Sequence, residues 1–297
     1  MPLSLEELER IKKLAVMAMF SDDELMETLV LKGGNALDLV YNVGTRASGD
    51  LDFSINRAFS PDELEEFPSR IETLLQGAFE PEGYKVLDVK FVEKPRAHAN
   101  DPDLDFWSGY KIEFKLVRAD VFDRWSENAQ AVRLRAVDLG KSGGKSFEIE
   151  ISKFEYTDAK QEAEIEGYTI YVYTPEMIVC EKLRAICQQM PEYAPIVQRN
   201  RGTSARARDF FDIYTVIEVF KIDLTTEENK ELLRNIFDAK RVPVEFLSLI
   251  NNYREFHRAG YDSLAATVKS TTDLRDFDFY FDYVVDKVRA LESLWVV

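Results

Sequence analysis

Two aspartates separated by one residue, Asp50 and Asp52 in the segment Ser48-Gly49-Asp50-Leu51-Asp52-Phe53-Ser54-Ile55, are the pair in this chain best placed for chemistry. In an extended strand Ser48, Asp50, Asp52 and Ser54 share one face, and Gly49, Leu51, Phe53 and Ile55 the other. The two carboxylates then stand roughly 6.5–7 Å apart, two strand rises. Like charges so placed repel unless a cation or a proton neutralises them, and hard carboxylate oxygens suit Mg2+. The commoner fate of such a pair is a solvated acidic strand face. Here, however, Gly33 and Gly34 precede the aspartates by 16 and 18 residues, counted from Gly34. Glycines at a helix start let backbone N–H groups approach an anion, with the helix dipole helping. One end of the stretch then suits triphosphate oxygens and the other a metal that bridges them.

Three further stretches offer charged candidates. In Phe147–Ser152 (FEIEIS), Phe147, Ile149 and Ile151 alternate with Glu148 and Glu150. Beside the aspartate strand, one of these glutamates would complete a three-carboxylate metal cradle; otherwise they form a solvated outer face. In the helical stretch EMIVCEKLRAICQQ, Lys182 has Ile178, Val179, Ala185 and Ile186 as its helical neighbours. Such a lysine either snorkels or presents its ammonium to a phosphate as a point charge. Asp209 and Asp212, beside Arg208, form a helix-surface ion pair or present a carboxylate to a cleft. His98 and His257 have no evident partner.

The elements that must carry these residues follow from periodicity. Ser4 and Glu7 form a capping box for a helix to about Phe20, and Ser21 caps a second helix from Asp22 to Thr28. Val30 leads into the glycine pair, after which Ala36, Leu37, Leu39, Val40 and Tyr41 have helical spacing. Ser60 opens a helix over 61–78, strands are expected at 84–93, 107–117, 146–152 and 168–173, and 119–139 is ambiguous. Thr174-Pro175 starts a helix, and from there the periodicity is helical throughout, with Ser204 as the N-cap of the helix carrying Asp209. The boundary divides the chain into domains 1–174 and 175–297.

Of 297 residues, 45 % are hydrophobic and 31 % charged, which is ordinary for a soluble protein. No apolar run reaches the roughly 20 residues that span a bilayer, and the amphipathic N-terminus lacks a signal-peptide apolar region. Cys180 and Cys187, about 10 Å apart on one helix, are too distant for a disulfide and fit a reducing cytosol. The expectation is a cytoplasmic protein with no membrane partner. A net charge of −16 opposes general adhesion to nucleic acid, yet leaves room for a local basic patch such as Gln198–Ser204 (QRNRGTS).

The order KGGNAL, RASGDLDF, FEIEIS, TPEMIVCEKLRAI, RARDFFDIY, over residues 29–217, resembles the AbiEii/AbiGii abortive-infection toxins of type IV toxin–antitoxin systems. The resemblance implies an α+β fold, a nucleotidyltransferase (polymerase β-like) domain with a mixed sheet, followed by a C-terminal α-helical domain contributing to the active-site cleft. It implies metal ligation by Asp50, Asp52 and Glu150, with Glu148 as the alternative to Glu150, and catalytic roles for these three with Lys182 and Asp209. It assigns nucleotide contacts to Lys32, Gly33, Gly34, Arg46, Ser48, Lys182 and Asp212. Asn35 stands where such enzymes commonly carry Thr or Ser. The cofactor is Mg2+ or Mn2+, the substrate an NTP, and the acceptor RNA, notably the tRNA 3′ end, with a cognate antitoxin as a possible protein partner. Transfer to a small-molecule acceptor, and a catalytically silent nucleotide-binding protein, remain the alternatives.

Overall fold

The computed structural model describes residues 3–44, 46, 50–95, 102–138, 144–198, 203–270 and 272–296. Ser48, His98 and residues 199–202 of the basic loop therefore lie outside the described residues. The chain divides into two compact units. One comprises Met1–Val40, Ser48–Phe154 and Glu162–Val172, the other Tyr41–Ala47, Glu155–Gln161 and Tyr173–Val297. Two short segments from the first 174 residues thus belong with the helical half.

The first unit opens with α1 (Leu5–Phe20), closed by the expected capping box: the Glu7 N–H donates to Ser4 Oγ and the Ser4 N–H to Glu7 Oε2, both at 3.1 Å. Helix α2 (Asp23–Thr28) follows, and Asp22, not Ser21, is its N-cap. The Ser21 hydroxyl is spent on the Ala18 carbonyl instead. Next come β1 (Val30–Lys32), α3 (Gly33–Leu39), β2 (Leu51–Ser54), α4 (Pro61–Phe79), β3 (Tyr84–Lys94), β4 (Gly109–Arg118), α5 (Ala119–Trp125), α6 (Ala129–Leu134), β5 (Phe147–Ser152), β6 (Gln161–Ile165) and β7 (Tyr168–Val172). The ambiguous stretch 119–139 therefore holds two short helices, over 119–125 and 129–134, and no strand among its described residues.

The strands form one mixed sheet in the order β3-β4-β5-β2-β1-β7-β6. Strand β2 runs antiparallel to β1 and parallel to β5, and β1 runs parallel to β7. Between β6 and β7, Glu166 and Gly167 both have positive φ, 49° and 86°, the conformation of a tight two-residue hairpin turn. Period-2 alternation gives the sheet two unlike faces. Leu51, Phe53, Ile112, Phe114, Phe147, Ile149 and Ile151 are buried on one of them. There α1 meets Phe53 through Phe20, ring centroids 5.9 Å apart, and α4 meets Phe114 through Phe79 at 5.8 Å. The polar residues are left on the other face.

In the second unit, α7 (Pro175–Cys187) packs against α8 (Ala207–Phe220) and α9 (Glu227–Asp238), followed by α10 (Arg254–Arg258), α11 (Tyr261–Ala265) and α12 (Phe277–Arg289). Phe210 of α8 stacks on Phe281 of α12 at 5.0 Å. Helix α8 begins at Ala207 without a side-chain cap, contrary to the expectation for Ser204. The Ser204 N–H donates instead to Gln189 Oε1 at 3.1 Å, so this residue joins the loop to the end of α7 rather than capping α8. Cys180 and Cys187 are buried free thiols; burial pushes the Cys180 thiol up to about 12 and the Cys187 thiol up as well. Among the described residues no helix is long and apolar enough to cross a membrane.

Candidate active site

The strand register places the acidic candidates of the first unit. Asp52 on β2 lies opposite Glu150 on β5, so these two carboxylates are nearest neighbours across the sheet on its polar face. Parallel neighbours are about 4.8 Å apart, closer than two residues along one strand. Glu148, the alternative, sits two positions away, opposite Glu113. The same row continues outward to Lys32 on β1 and Lys111 on β4, a sequence of cation, carboxylate, carboxylate, cation across four strands. Lys32 is buried and donates to Ser152 Oγ at 3.2 Å.

Asp50 is not part of strand β2, contrary to the expected strand from Ser48. Strand β1 ends at Lys32, opposite Asp52, because the chain turns into α3 at Gly33; no β1 residue remains to pair with residue 50. Asp50 lies on an exposed bend one residue ahead of Leu51, and its carbonyl accepts a hydrogen bond from the buried Asn35 side chain. Asn35 thus tethers this bend to α3. Gly33 has φ +70°, the left-handed region that favours glycine, and a Cβ built there would lie 3.0 Å from Asp52 Oδ2. The glycine is therefore what allows the backbone to approach this carboxylate. Among the described residues no three His, Cys, Asp or Glu side chains are grouped to hold a metal. Asp52 and Glu150 nevertheless present hard oxygens of the kind Mg2+ takes, and Mg2+ commonly completes its shell with substrate phosphates and water.

The remaining charged candidates form a separate buried cluster in the second unit. Lys182 is 7 % exposed, and its ammonium donates to Asp209 Oδ1 at 3.0 Å and Asp212 Oδ2 at 2.6 Å. Arg46 grips Asp212 in bidentate fashion, Nε to Oδ1 at 2.9 Å and Nη2 to Oδ2 at 2.6 Å. Lys182 therefore neither snorkels nor offers an unengaged ammonium. The aspartates are not a surface pair with Arg208, which binds Ser263 Oγ at 2.8 Å. Burial pushes the Asp212 carboxyl up, but the charges of Lys182 and Arg46 outweigh it and hold the group at about 2. For Lys182 burial acts downward, and the Asp212 and Asp209 carboxylates overcome it and raise the ammonium.

A sequence model of the family described as nucleotidyl transferase AbiEii toxin, type IV TA system, matches residues 15–283. The chain belongs to the AbiEii family. It is accordingly a nucleotidyltransferase of the type IV toxin–antitoxin class. The crystal structure of JHP933 from Helicobacter pylori is similar in fold: it covers 98 % of this chain and 94 % of that one with a TM-score of 0.50, at 18 % identity. A second H. pylori structure, described as a candidate nucleotidyltransferase, covers 98 % and 97 % at 17 % identity and a TM-score of 0.47. An antigenic nucleotidyltransferase-like protein from Paracoccidioides brasiliensis covers 82 % and 95 %, at 17 % identity and a TM-score of 0.37. A comparison with curated protein sequences gave no match.

Three features of this AbiEii chain escape a reading by sequence. Glu155 receives Arg184 at 2.7 and 3.1 Å, both buried, which ties the 155–161 segment to α7. Lys111 is buried among the polar-face glutamates; its shared parity with Glu113 was the available signal. His257 is not partnerless: its Nδ1 accepts the Arg206 backbone N–H at 3.2 Å, and its ring packs on Phe210, centroids 5.2 Å apart. That hydrogen bond puts the neutral ring's proton on Nε2.

Burial pushes the His257 pKa down to about 4, the Asp209 carboxylate opposing and Arg206 assisting. The native ring is neutral where the unfolded one, near 6.5, begins to bind a proton. Stability from this group is thus full above pH 6.5, falls as pH drops towards 4, and changes no further below that. The span corresponds to about 3 kcal/mol. Urea titrations at pH 7.5 and 4.5 should show this difference shrinking in His257→Gln; an unchanged pH dependence would refute the assignment.

Proposed function

We propose that this AbiEii protein is a metal-dependent transferase that moves NMP from an NTP to an RNA hydroxyl, with the tRNA 3′ end as the acceptor. The observation that carries the reading is the in-register pair Asp52 and Glu150, with Gly33 brought against Asp52. These two carboxylates would hold Mg2+ or Mn2+, which when bound neutralises triphosphate charge and assists pyrophosphate departure. The acceptor oxygen forms a bond to the α-phosphorus as the bond to the pyrophosphate oxygen breaks. Asp50, exposed on the bend one residue ahead of β2, is assigned to the same reaction as base for the acceptor proton. The Gly33-Gly34 backbone and Lys32 are assigned to the nucleotide phosphates.

The Lys182, Asp209, Asp212 and Arg46 cluster is given a different task. Both cations already have carboxylate partners, so we assign the cluster to locking α7, α8 and the 41–47 segment into one arrangement. Arg206 and Arg208 beside it supply positive charge for an RNA backbone despite the net −16. That same net charge favours the second reading, a small-molecule acceptor.

The test is incubation with Mg2+, each labelled NTP in turn, and total tRNA. Label entering tRNA, and lost on Asp50→Ala, supports the RNA reading; label entering only small-molecule acceptors supports the second. Failure to transfer from any NTP to any acceptor would sink both. As a toxin of the type IV class, the active protein should arrest growth when expressed alone, with relief by a neighbouring antitoxin.

A further inference from the structure

Lys111 lies on β4 directly opposite Glu150, where a lysine and a glutamate ordinarily form a cross-strand ion pair. It does not do so here. Its buried ammonium is 2.7 Å from Glu113 Oε1 and 2.5 Å from Glu148 Oε1. Glu113 and Glu148 are themselves cross-strand partners, so one lysine neutralises two carboxylates that would otherwise repel each other. Burial of Lys111 lowers its pKa, and the hydrogen bonds to Glu113 and Glu148 more than reverse that. Glu150 is exposed, and its side chain forms no hydrogen bond or ion pair with a described residue. Lys94, exposed on β3, is a further cation in the field of Glu148 and Glu150.

We propose that Glu148, with Glu113, is a positioning residue that holds Lys111 away from Glu150, keeping the Glu150 oxygens available to a divalent cation. The inference rests on the reading of Asp52 and Glu150 as the cation ligands. Its physical basis is competition among nearby carboxylates for one ammonium on a flexible stem. Coulomb attraction falls with distance, and two acceptors within 2.7 Å outbid a single one across the strand pair. Neutralising Glu148 removes one of the two. Glu150, directly opposite, is then the next carboxylate within reach, and the ammonium brings positive charge to the place the cation must take.

The test is Mn2+ binding to the full chain without nucleotide, followed by the electron paramagnetic resonance of free Mn2+. Glu148→Gln should weaken binding about tenfold, and Glu113→Gln should act in the same direction. Adding Lys111→Met to Glu148→Gln should bring affinity back to within about twofold of the wild type, with Lys94 still present. A purely structural role for Glu148 would lower Tm and would not be rescued by removing Lys111. Wild-type affinity in Glu148→Gln, or a loss that Lys111→Met does not recover, overturns the proposal. Asp52→Asn separates the two levels. If it weakens Mn2+ binding while Glu148→Gln does not, the positioning role alone falls; if it leaves binding unchanged, the carboxylate pair is not the cation site and both fall.

Discussion

Asp52→Asn is expected to remove nucleotide transfer, lowering kcat by about 10³-fold, while the protein remains folded. The size follows from what a metal contributes to charge stabilisation in phosphoryl transfer, several kcal/mol, each 1.36 kcal/mol being tenfold in rate. Asparagine keeps the shape and one acceptor oxygen but drops the charge. The residue is half-buried on the sheet's polar face, away from the apolar layer, so the expected stability change is within about 1 kcal/mol, or roughly 2–4 °C in Tm. Steady-state rates across a Mg2+ series, with a thermal melt of the same sample, check both halves. Transfer at the wild-type rate would remove Asp52 from the reaction.

Lys182→Met is expected to do the opposite, acting first on the fold. It leaves Asp209 and Asp212 buried with one cation fewer, and breaking a buried ion pair from one side costs about 3–5 kcal/mol. For a chain of this size that is a fall of about 6–20 °C in Tm. The asymmetry supplies the control: Lys182→Met with Asp209→Asn removes one charge of each sign and should recover a large part of the loss. The pH dependence follows from Asp212. Its carboxyl is held at about 2, below the unfolded value near 3.9, so its contribution is complete above that value and is lost as pH falls through 2. Urea midpoints of the single and double variants at pH 7 decide the matter; a single variant as stable as the wild type would mean the cluster is not the lock proposed for it.

Particular residues show how far the chain could be read before it folded. The FEIEIS alternation identified both the buried face of β5 and the face that carries Glu150, because period 2 is dictated by the extended backbone itself. The capping box at Ser4 and the helix-opening Ser60 were equally local, and both helices begin there. Asp50 was misplaced because strand length depends on the neighbour: β1 ends at Lys32, and nothing in SGDLDFSI records that. Ser204 failed as a cap for a related reason, since Gln189 offers its N–H a partner from another element.

Lys182 marks the limit most clearly. Its apolar helical neighbours identified an unusual lysine, and snorkelling was the commoner reading, because the partners are absent from its own helix. They are Asp209 and Asp212 on α8, 27 and 30 residues on, and Asp212 is in turn held by Arg46, 166 residues before it in sequence. By itself the sequence determined the residue types, the alternation of faces, the change to helical periodicity near residue 174 and an ordered motif set that resembles one family. Only the tertiary structure decided which charges meet: that Asp52 faces Glu150 rather than Glu148, that Lys111 serves Glu148 and Glu113, and that Lys182 is held by aspartates. The physical reason is range. Periodicity and capping depend on a few residues of backbone, whereas an ion pair depends on strand register and helix packing set by the whole core.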